Sequence, residues 1–275
     1  MDIHQQKRDP LGIIDLNALS ISDISYTYFC NYTNFSFSFD GIKYFFKSCD
    51  NIRSIYNELL AEVIANKFDI ACASYDLGLY NGILGIISEN FLLEGDCFYL
   101  LSEFVDDYHN NICDIMRKLS QRYTDIAVVN YLKKQLINIL VFDILIANHD
   151  RHTNNLGIVE TISDVSFSPV FDNELMLDYR SIFYGEYCLN IDNNFDNMNL
   201  ISKILCHDDS IYKDKLISNL DLINYKNILN SFEEVEEKIH SHVNHYIKKE
   251  IISKFNSNYC ELGNRLLKSK KFMKK

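Results

Sequence analysis

Ten residues, Asn148 to Gly157 ("NHDRHTNNLG"), gather two histidines, an aspartate, an arginine and three asparagines directly behind the most apolar run of the chain, "LINILVFDILIA". An apolar element that delivers so many polar groups to one point is expected to serve chemistry. Asp150 and Asn155 lie on one loop, and Asp172 arrives at the end of the next hairpin, so the three can converge. A carboxylate that orients an attacking hydroxyl, joined by oxygen ligands that hold Mg²⁺ against phosphates, is what phosphoryl transfer from ATP asks of a protein. The pattern D-x-x-x-x-N followed by a strand-borne aspartate supplies both.

Two further parts belong upstream of that loop. A lysine inside an N-terminal strand must reach the phosphates, and a glutamate on the following helix must fix it by an ion pair. "YFFKS" offers Lys47 within an apolar strand, and Glu58 lies on the helix that begins a few residues later. Lys43 shares the strand face with Lys47, and either could be an edge lysine with its head in water, so the strand pattern alone leaves the choice between them open. Glu62, one turn beyond Glu58, is the second candidate for the lysine's partner.

The elements that must hold these groups are legible in outline. From about Ser20 to Phe104 strands dominate: "SFSFDGIKYFFKS" is expected to be a hairpin turning at Asp40 and Gly41, and "GILGIIS" and "CFYLLSEF" are short apolar runs between turn residues. One helix interrupts them. "NIRSIYNELLAEVIANKF" spaces Ile55, Leu59 and Val63, and Tyr56, Leu60 and Ile64, four apart, with Glu58 and Glu62 on the other side. Beyond Asn110 helices prevail, and Tyr131 to Ala147 is apolar enough for a core helix. "LGIVE" and "VSFSPVFD" form the one expected hairpin there, turning at Ser163 and Asp164. The expected organisation is α+β in two lobes, residues 1–104 rich in strand and residues 105–275 rich in helix.

Composition bounds the function. At 275 residues with 47% hydrophobic side chains and only two prolines, the chain can bury a sizeable core and is not a disordered one. A formal charge of -11 repels polyanions, which counts against direct nucleic-acid binding and against an anionic membrane surface. The lysine-rich tail Lys268 to Lys275 reads as a solvated helix end. Eight cysteines without a C-x-x-C suit reduced thiols better than a disulfide framework or a zinc site. The first residues show no signal pattern and no run is long enough to cross a bilayer, so the expected location is the cytoplasm with no membrane anchor. Delivery into a host cell stays open at this stage.

"YFFKS", "YNELLAEVIANKFDI", "FDILIANHDRHTNNLGIV" and "FSPVFDNE", in this order and at these separations, resemble the HipA-like serine/threonine kinases, above all their compact CtkA-like branch. The resemblance runs from about Tyr44 to Glu174. It implies a two-lobed, protein-kinase-like fold that binds ATP and Mg²⁺ between its lobes and phosphorylates a serine or threonine hydroxyl of a protein. Position by position, it makes Asp150 the catalytic aspartate, Asn155 and Asp172 the Mg²⁺ ligands, Lys47 the phosphate-binding lysine and Glu58 its partner. His152 falls where the family has a histidine inside the loop, as a residue that shapes it. The segment Ile87 to Phe91, with Ser88 and Glu89, would be the hinge against which adenine stacks and hydrogen-bonds. The family also implies autophosphorylation, with Thr33, Ser36 and Ser38 as acceptors in "NYTNFSFSFDG", and it admits an antitoxin-like or regulatory partner. Two departures stand out: the expected phosphate-covering loop has Gly41 only at its end, and Asp172 is followed by Asn173 and Glu174 without a glycine.

Other readings compete with this one. His149 and Asp150 are similar to the His-Asp dyad of metal phosphohydrolases, with His109 and Asp172 as distant ligands, but that chemistry calls for an all-helical bundle and leaves Lys47 and Asn155 unused. A phosphoinositide or small-molecule kinase shares the D-x-x-x-x-N logic, and a kinase fold without catalysis would be a binding module. Asp143 is expected to order the loop by accepting backbone hydrogen bonds. His240, His242 and His245 sit in a charged helix and read as solvated.

Overall fold

The computed structural model describes residues 3–6, 8–27, 33–49, 51–105, 112–146, 148, 150–176, 225–240, 243, 245–253, 255–256 and 260. The phenylalanine-rich text between Asn34 and Ser48 folds as the expected hairpin, β3 (Asn34–Phe39) and β4 (Ile42–Ser48). Its turn uses two left-handed residues, Asp40 (φ 50°) and Gly41 (φ 81°), as a two-residue connection between twisted strands requires. The hairpin joins β2 (Ser22–Thr27), β5 (Tyr75–Tyr80), β6 (Ile83–Glu89) and the short β1 (Ile14–Asp15) in a six-stranded sheet of order β1-β5-β6-β4-β3-β2.

Strand alternation gives this sheet two unlike faces. Phe35, Phe37, Tyr44, Phe46 and Ile87 point to one side, where the N-terminal residues Ile3, Ile14 and Leu16 cover them in a cluster of their own. Each of these large side chains, removed from water, contributes roughly 1.5–3 kcal/mol. The opposite face carries Lys47 opposite Asn34 and Ile86, with Ser36 opposite Phe45 and Ser38 opposite Lys43. Against it packs α1 (Ile52–Lys67), whose first turn is capped by Asn51 accepting from the Ser54 amide.

α1 is buried nearly all round, so its glutamates do not face water. Glu58 and Glu62 are both buried, and their carboxylates must find partners inside the protein. The helix shares a single core cluster with α3 (Ile126–Ile146), the expected core helix, and with Phe232 and Val235 of α4 (Tyr225–Lys238). Two ion pairs tie α4 to α1, Lys67 with Glu234 at 2.7 Å and Lys238 with Glu62 at 2.9 Å. α2 (Ile112–Arg122) lies before α3.

A second, three-stranded sheet of order β7-β8-β9 follows the first: β7 (Cys97–Leu100), β8 (Gly157–Glu160) and β9 (Val165–Phe167). β7 thus pairs with the β8–β9 hairpin and not with the larger sheet, which puts the passage between the two β units at residues 90–96. Cys49, Cys72, Cys97 and Cys260 are free thiols. Among the described residues no helix is long and apolar enough to cross a membrane. The lysine-rich tail, His109 and His149 lie outside the described residues.

Candidate active site

The loop that leaves α3 is folded around one arginine. Arg151 is fully buried, and its guanidinium donates from Nε and Nη2 to the Asp143 carboxylate at 3.1 Å each, from Nη1 to the carbonyls of Asn155 at 3.1 Å and Phe171 at 2.6 Å, and from Nη2 to Asn173 Oδ1 at 2.6 Å. Asp143 therefore orders the loop through a guanidinium, not through the backbone hydrogen bonds expected from the sequence. Burial pushes its carboxyl upward while Arg151 pulls it back down. The planar fork of an arginine is what can reach three chain segments at once.

Within that frame Asp150 is presented half-buried at the start of the loop. Asn148 Oδ1 accepts from the Asp150 amide at 3.1 Å, and Asn155 Nδ2 donates to the Asp150 carbonyl at 2.9 Å. The carboxyl itself is raised above the usual aspartate range by burial, with His152 acting against the shift and Asp172 adding to it. His152 precedes a single 3-10 turn, Thr153–Asn155, and its Nδ1 accepts from the Asn154 amide at 3.1 Å. The imidazole is thus part of the loop's own geometry.

Lys47 projects from β4 to meet three carboxylates. Its Nζ lies 3.5 Å from Glu58 Oε1 and 3.1 Å from Glu174 Oε2, and it donates to Asp172 Oδ1. Burial would lower the lysine, but Asp172, Glu58 and Glu174 together hold it well above its ordinary value. Glu58 is raised to about 7 by burial, against the pull of Lys47. Asp172 is also disfavoured by burial, yet the adjacent ammonium holds it below the usual range. Lys43 stays exposed on the same strand, over the Phe45 ring at 5.5 Å. Glu62 is engaged elsewhere, accepting from Ser74 Oγ at 2.8 Å, the Tyr75 amide at 3.1 Å and Lys238.

Asp172 sits in the left-handed region at φ 60°, a conformation that costs a non-glycine residue about 1 kcal/mol or more. The next residues hold it there. Glu58 Oε2 accepts from the Asn173 amide at 2.8 Å, and Asn57 Nδ2 donates to the carbonyls of Glu174 at 2.6 Å and Met176 at 2.8 Å. The segment 172–176 is therefore fastened to α1 from one side and to Arg151 from the other.

The residues expected at the hinge, Ile87 to Phe91, divide between the end of β6 and the connection after it. Ile87 and Ser88 pair with β4 on one side and β5 on the other, so their backbone groups are taken, and the Ile87 side chain is buried on the sheet face away from Lys47. Glu89 ends the strand opposite Tyr44, and the connection proper begins at Asn90. Phe91 belongs to it, its ring 5.6 Å from Phe98 and stacked at 6.5 Å on Phe171, the neighbour of Asp172. Of the expected phosphate-covering stretch, Ser36 and Ser38 are strand residues of β3 and Thr33 directly precedes that strand.

For Mg²⁺ the donor set fits. The Asp172 carboxylate and the Asn155 amide oxygen, at the end of the side chain turned away from its bond to Asp150, are hard oxygens. Among the described residues no three His, Cys, Asp or Glu side chains form a metal cage, but Mg²⁺ held partly by phosphates needs only one or two carboxylates. Arg151, Asn173, Glu174 and Asn57 carry much of this geometry and were not assigned from the sequence. A signal existed: "FDNE" places two polar residues directly after Asp172, with no glycine between them and the aspartate.

No protein-family model matches the chain, and no curated protein matches it. Solved structures do. The chain is similar to the Helicobacter pylori proinflammatory kinase CtkA, with a TM-score of 0.66 and 14% identity over 93% of this chain and 98% of that one. It is also similar to HipA of Shewanella oneidensis, from a structure of that toxin–antitoxin system with HipB and operator DNA, with a TM-score of 0.55 and 13% identity. That match covers 90% of this chain but 62% of the HipA chain. The chain has the mixed α+β, kinase-like fold of CtkA and HipA, its larger sheet bringing Lys47 to Asp172.

Proposed function

We propose that the chain is an ATP-dependent serine/threonine protein kinase of HipA-like type. The observation that carries the proposal is the ion pair between Lys47 on β4 and Glu58 on α1, formed beside Asp172 and in the field of Asp150. A buried carboxylate that holds a lysine against a second carboxylate at a cleft is arranged for phosphate, which takes the lysine without disturbing its anchor. The all-helical architecture that a His-Asp phosphohydrolase needs is absent from the described residues, and Lys47 would have no part in it.

In this reading Asp150 accepts the hydrogen bond of a serine or threonine hydroxyl and takes its proton as the oxygen bonds to the γ-phosphorus, while the bond from that phosphorus to the β–γ bridging oxygen breaks and ADP leaves with the electron pair. Lys47 neutralises phosphate oxygens, with Glu58 keeping it oriented. Asn155 and Asp172 would hold Mg²⁺, which would supply shielding of the phosphate charge. Phe91 and the connection 90–96 line the adenine end, and His152 keeps the loop in shape. Ser36 and Ser38 lie on the Lys47 face of the sheet, so autophosphorylation there would place negative charge beside the nucleotide site and weaken it. The substrate is a protein hydroxyl, and neither nucleic acid nor a membrane is required.

Labelled ATP tests the proposal directly. The protein is incubated with Mg²⁺ and γ-labelled ATP alone, then with a cell lysate, then with phosphoinositide vesicles. Label on serine or threonine of protein is the expected result. Label in lipid alone would replace the substrate class, and no transfer with nucleotide bound would make the chain a binding module.

A further inference from the structure

Lys47 is surrounded by more negative charge than one ammonium balances. Of its three carboxylates, Glu58 is independently committed, since Oε2 accepts from the Asn173 amide at 2.8 Å. Asp172 and Glu174 are placed differently: among the described residues Lys47 is the cation in contact with either of them, Glu174 Oε2 lying 3.1 Å from Nζ. Glu174 does not reach the lysine by chance of a loose loop, because Asn57 Nδ2 donates to its carbonyl at 2.6 Å and fixes the point from which the side chain leaves. Two carboxylates two residues apart thus converge on one positive charge from a backbone held on both sides.

We propose that the Lys47 ammonium sits where a divalent cation binds, and that Glu174, together with Asp172, is a protein ligand for that cation. The proposal deepens the kinase reading and rests on it for the role of the metal. Phosphates draw the ammonium away from Asp172 and Glu174, and the repulsion between the two carboxylates left there at reduced dielectric is relieved by another cation. A hard divalent ion with one or two carboxylates and water or phosphate for the remainder suits that gap. Lysine and metal therefore exclude one another at this point, and nucleotide relieves the exclusion, so nucleotide and metal bind with positive coupling that is the same read from either side. Glu174 follows Asp172 where a glycine would give mobility, and here supplies charge instead.

Mn²⁺ alone, followed by electron spin resonance of the free ion, reads the exclusion without nucleotide. Lys47→Met is expected to bind Mn²⁺ about tenfold or more tightly than the wild-type chain, and Lys47→Met/Glu174→Gln is expected to lose that gain. No gain in the single variant, or a gain kept by the double one, overturns the proposal. Should Lys47→Met fail to fold by circular dichroism, Glu174→Gln in the otherwise native chain decides: with ADP present its Mn²⁺ affinity falls about tenfold while metal-free ADP binding does not weaken. Unchanged Mn²⁺ affinity in that variant overturns the proposal equally. A wild-type chain that binds no nucleotide sinks the kinase reading, and the Mn²⁺-only comparison still decides the metal site.

Discussion

Two cations grip the segment Phe171 to Glu174 from opposite sides, and they are built for opposite purposes. Arg151 is wholly buried, with its donors committed to Asp143, Asn155, Phe171 and Asn173. Lys47 is partly open to solvent, at 28% side-chain exposure, and is shared among Glu58, Asp172 and Glu174. A guanidinium with fixed, satisfied geometry is a fastening. An ammonium on a flexible stem among surplus carboxylates is a charge that can be handed to something else. The difference teaches where rigidity stops: the loop and the backbone of 172–176 are locked so that only the lysine and the carboxylate heads need move.

Breaking the fastening should have the largest effect. Arg151→Met leaves Asp143 buried without its partner, at a cost of about 3–5 kcal/mol, visible as a lower denaturant midpoint and loss of any nucleotide-induced rise in Tm. Stability unchanged within about 0.5 kcal/mol would mean that Asp143 is satisfied some other way.

Next come the groups that act on the substrate. Asp150→Ala should lower phosphoryl transfer on the order of 10²–10⁴-fold with nucleotide affinity nearly intact, because a base acts on the hydroxyl. Asp172→Ala should abolish transfer and also weaken Mg²⁺-nucleotide binding by calorimetry. Equal nucleotide affinity in the two variants would erase the distinction drawn between base and ligand.

Glu58→Gln sharpens the comparison through pH. The folded carboxyl, raised to about 7 by burial, binds its proton more tightly than the unfolded one near 4.5. Its contribution to stability is therefore fully present below about 4.5 and is lost as pH rises through about 7, each unit of difference being worth about 1.4 kcal/mol. The wild-type Tm should fall relative to that of Glu58→Gln between pH 5 and pH 8, and parallel profiles would assign the shift to another group.

Lys43→Ala is the smallest expected effect. Exposed and screened, Lys43 should change neither transfer nor stability by more than about 0.5 kcal/mol, whereas Lys47→Ala should remove activity. A comparable loss from both would mean that the strand face, and not one position on it, handles the phosphate.

The outline of strands and helices, the hairpin at Asp40 and Gly41, the core helix before the loop and the candidate groups Asp150, Asn155 and Asp172 stand out from residue types and spacing, whereas only the family resemblance separates Lys47 from Lys43. Turn residues, period-two and period-four patterns and a polar cluster behind an apolar run are local signals, carried within a few residues of one another. The choice of Glu58 over Glu62 was not local. Both lie on the same helix one turn apart, and only the packing of α1 against β5 and α4 gives Glu62 to Ser74, Tyr75 and Lys238 and leaves Glu58 for Lys47. That Ile87 and Ser88, expected at a hinge, are paired on both sides within β6 is a property of the sheet and not of the strand. Arg151 and Glu174 look like ordinary charged loop residues in the text. Burial of one among acceptors from three segments, and convergence of the other on a lysine 127 positions away in the chain, arise from long-range contacts that no window of sequence contains.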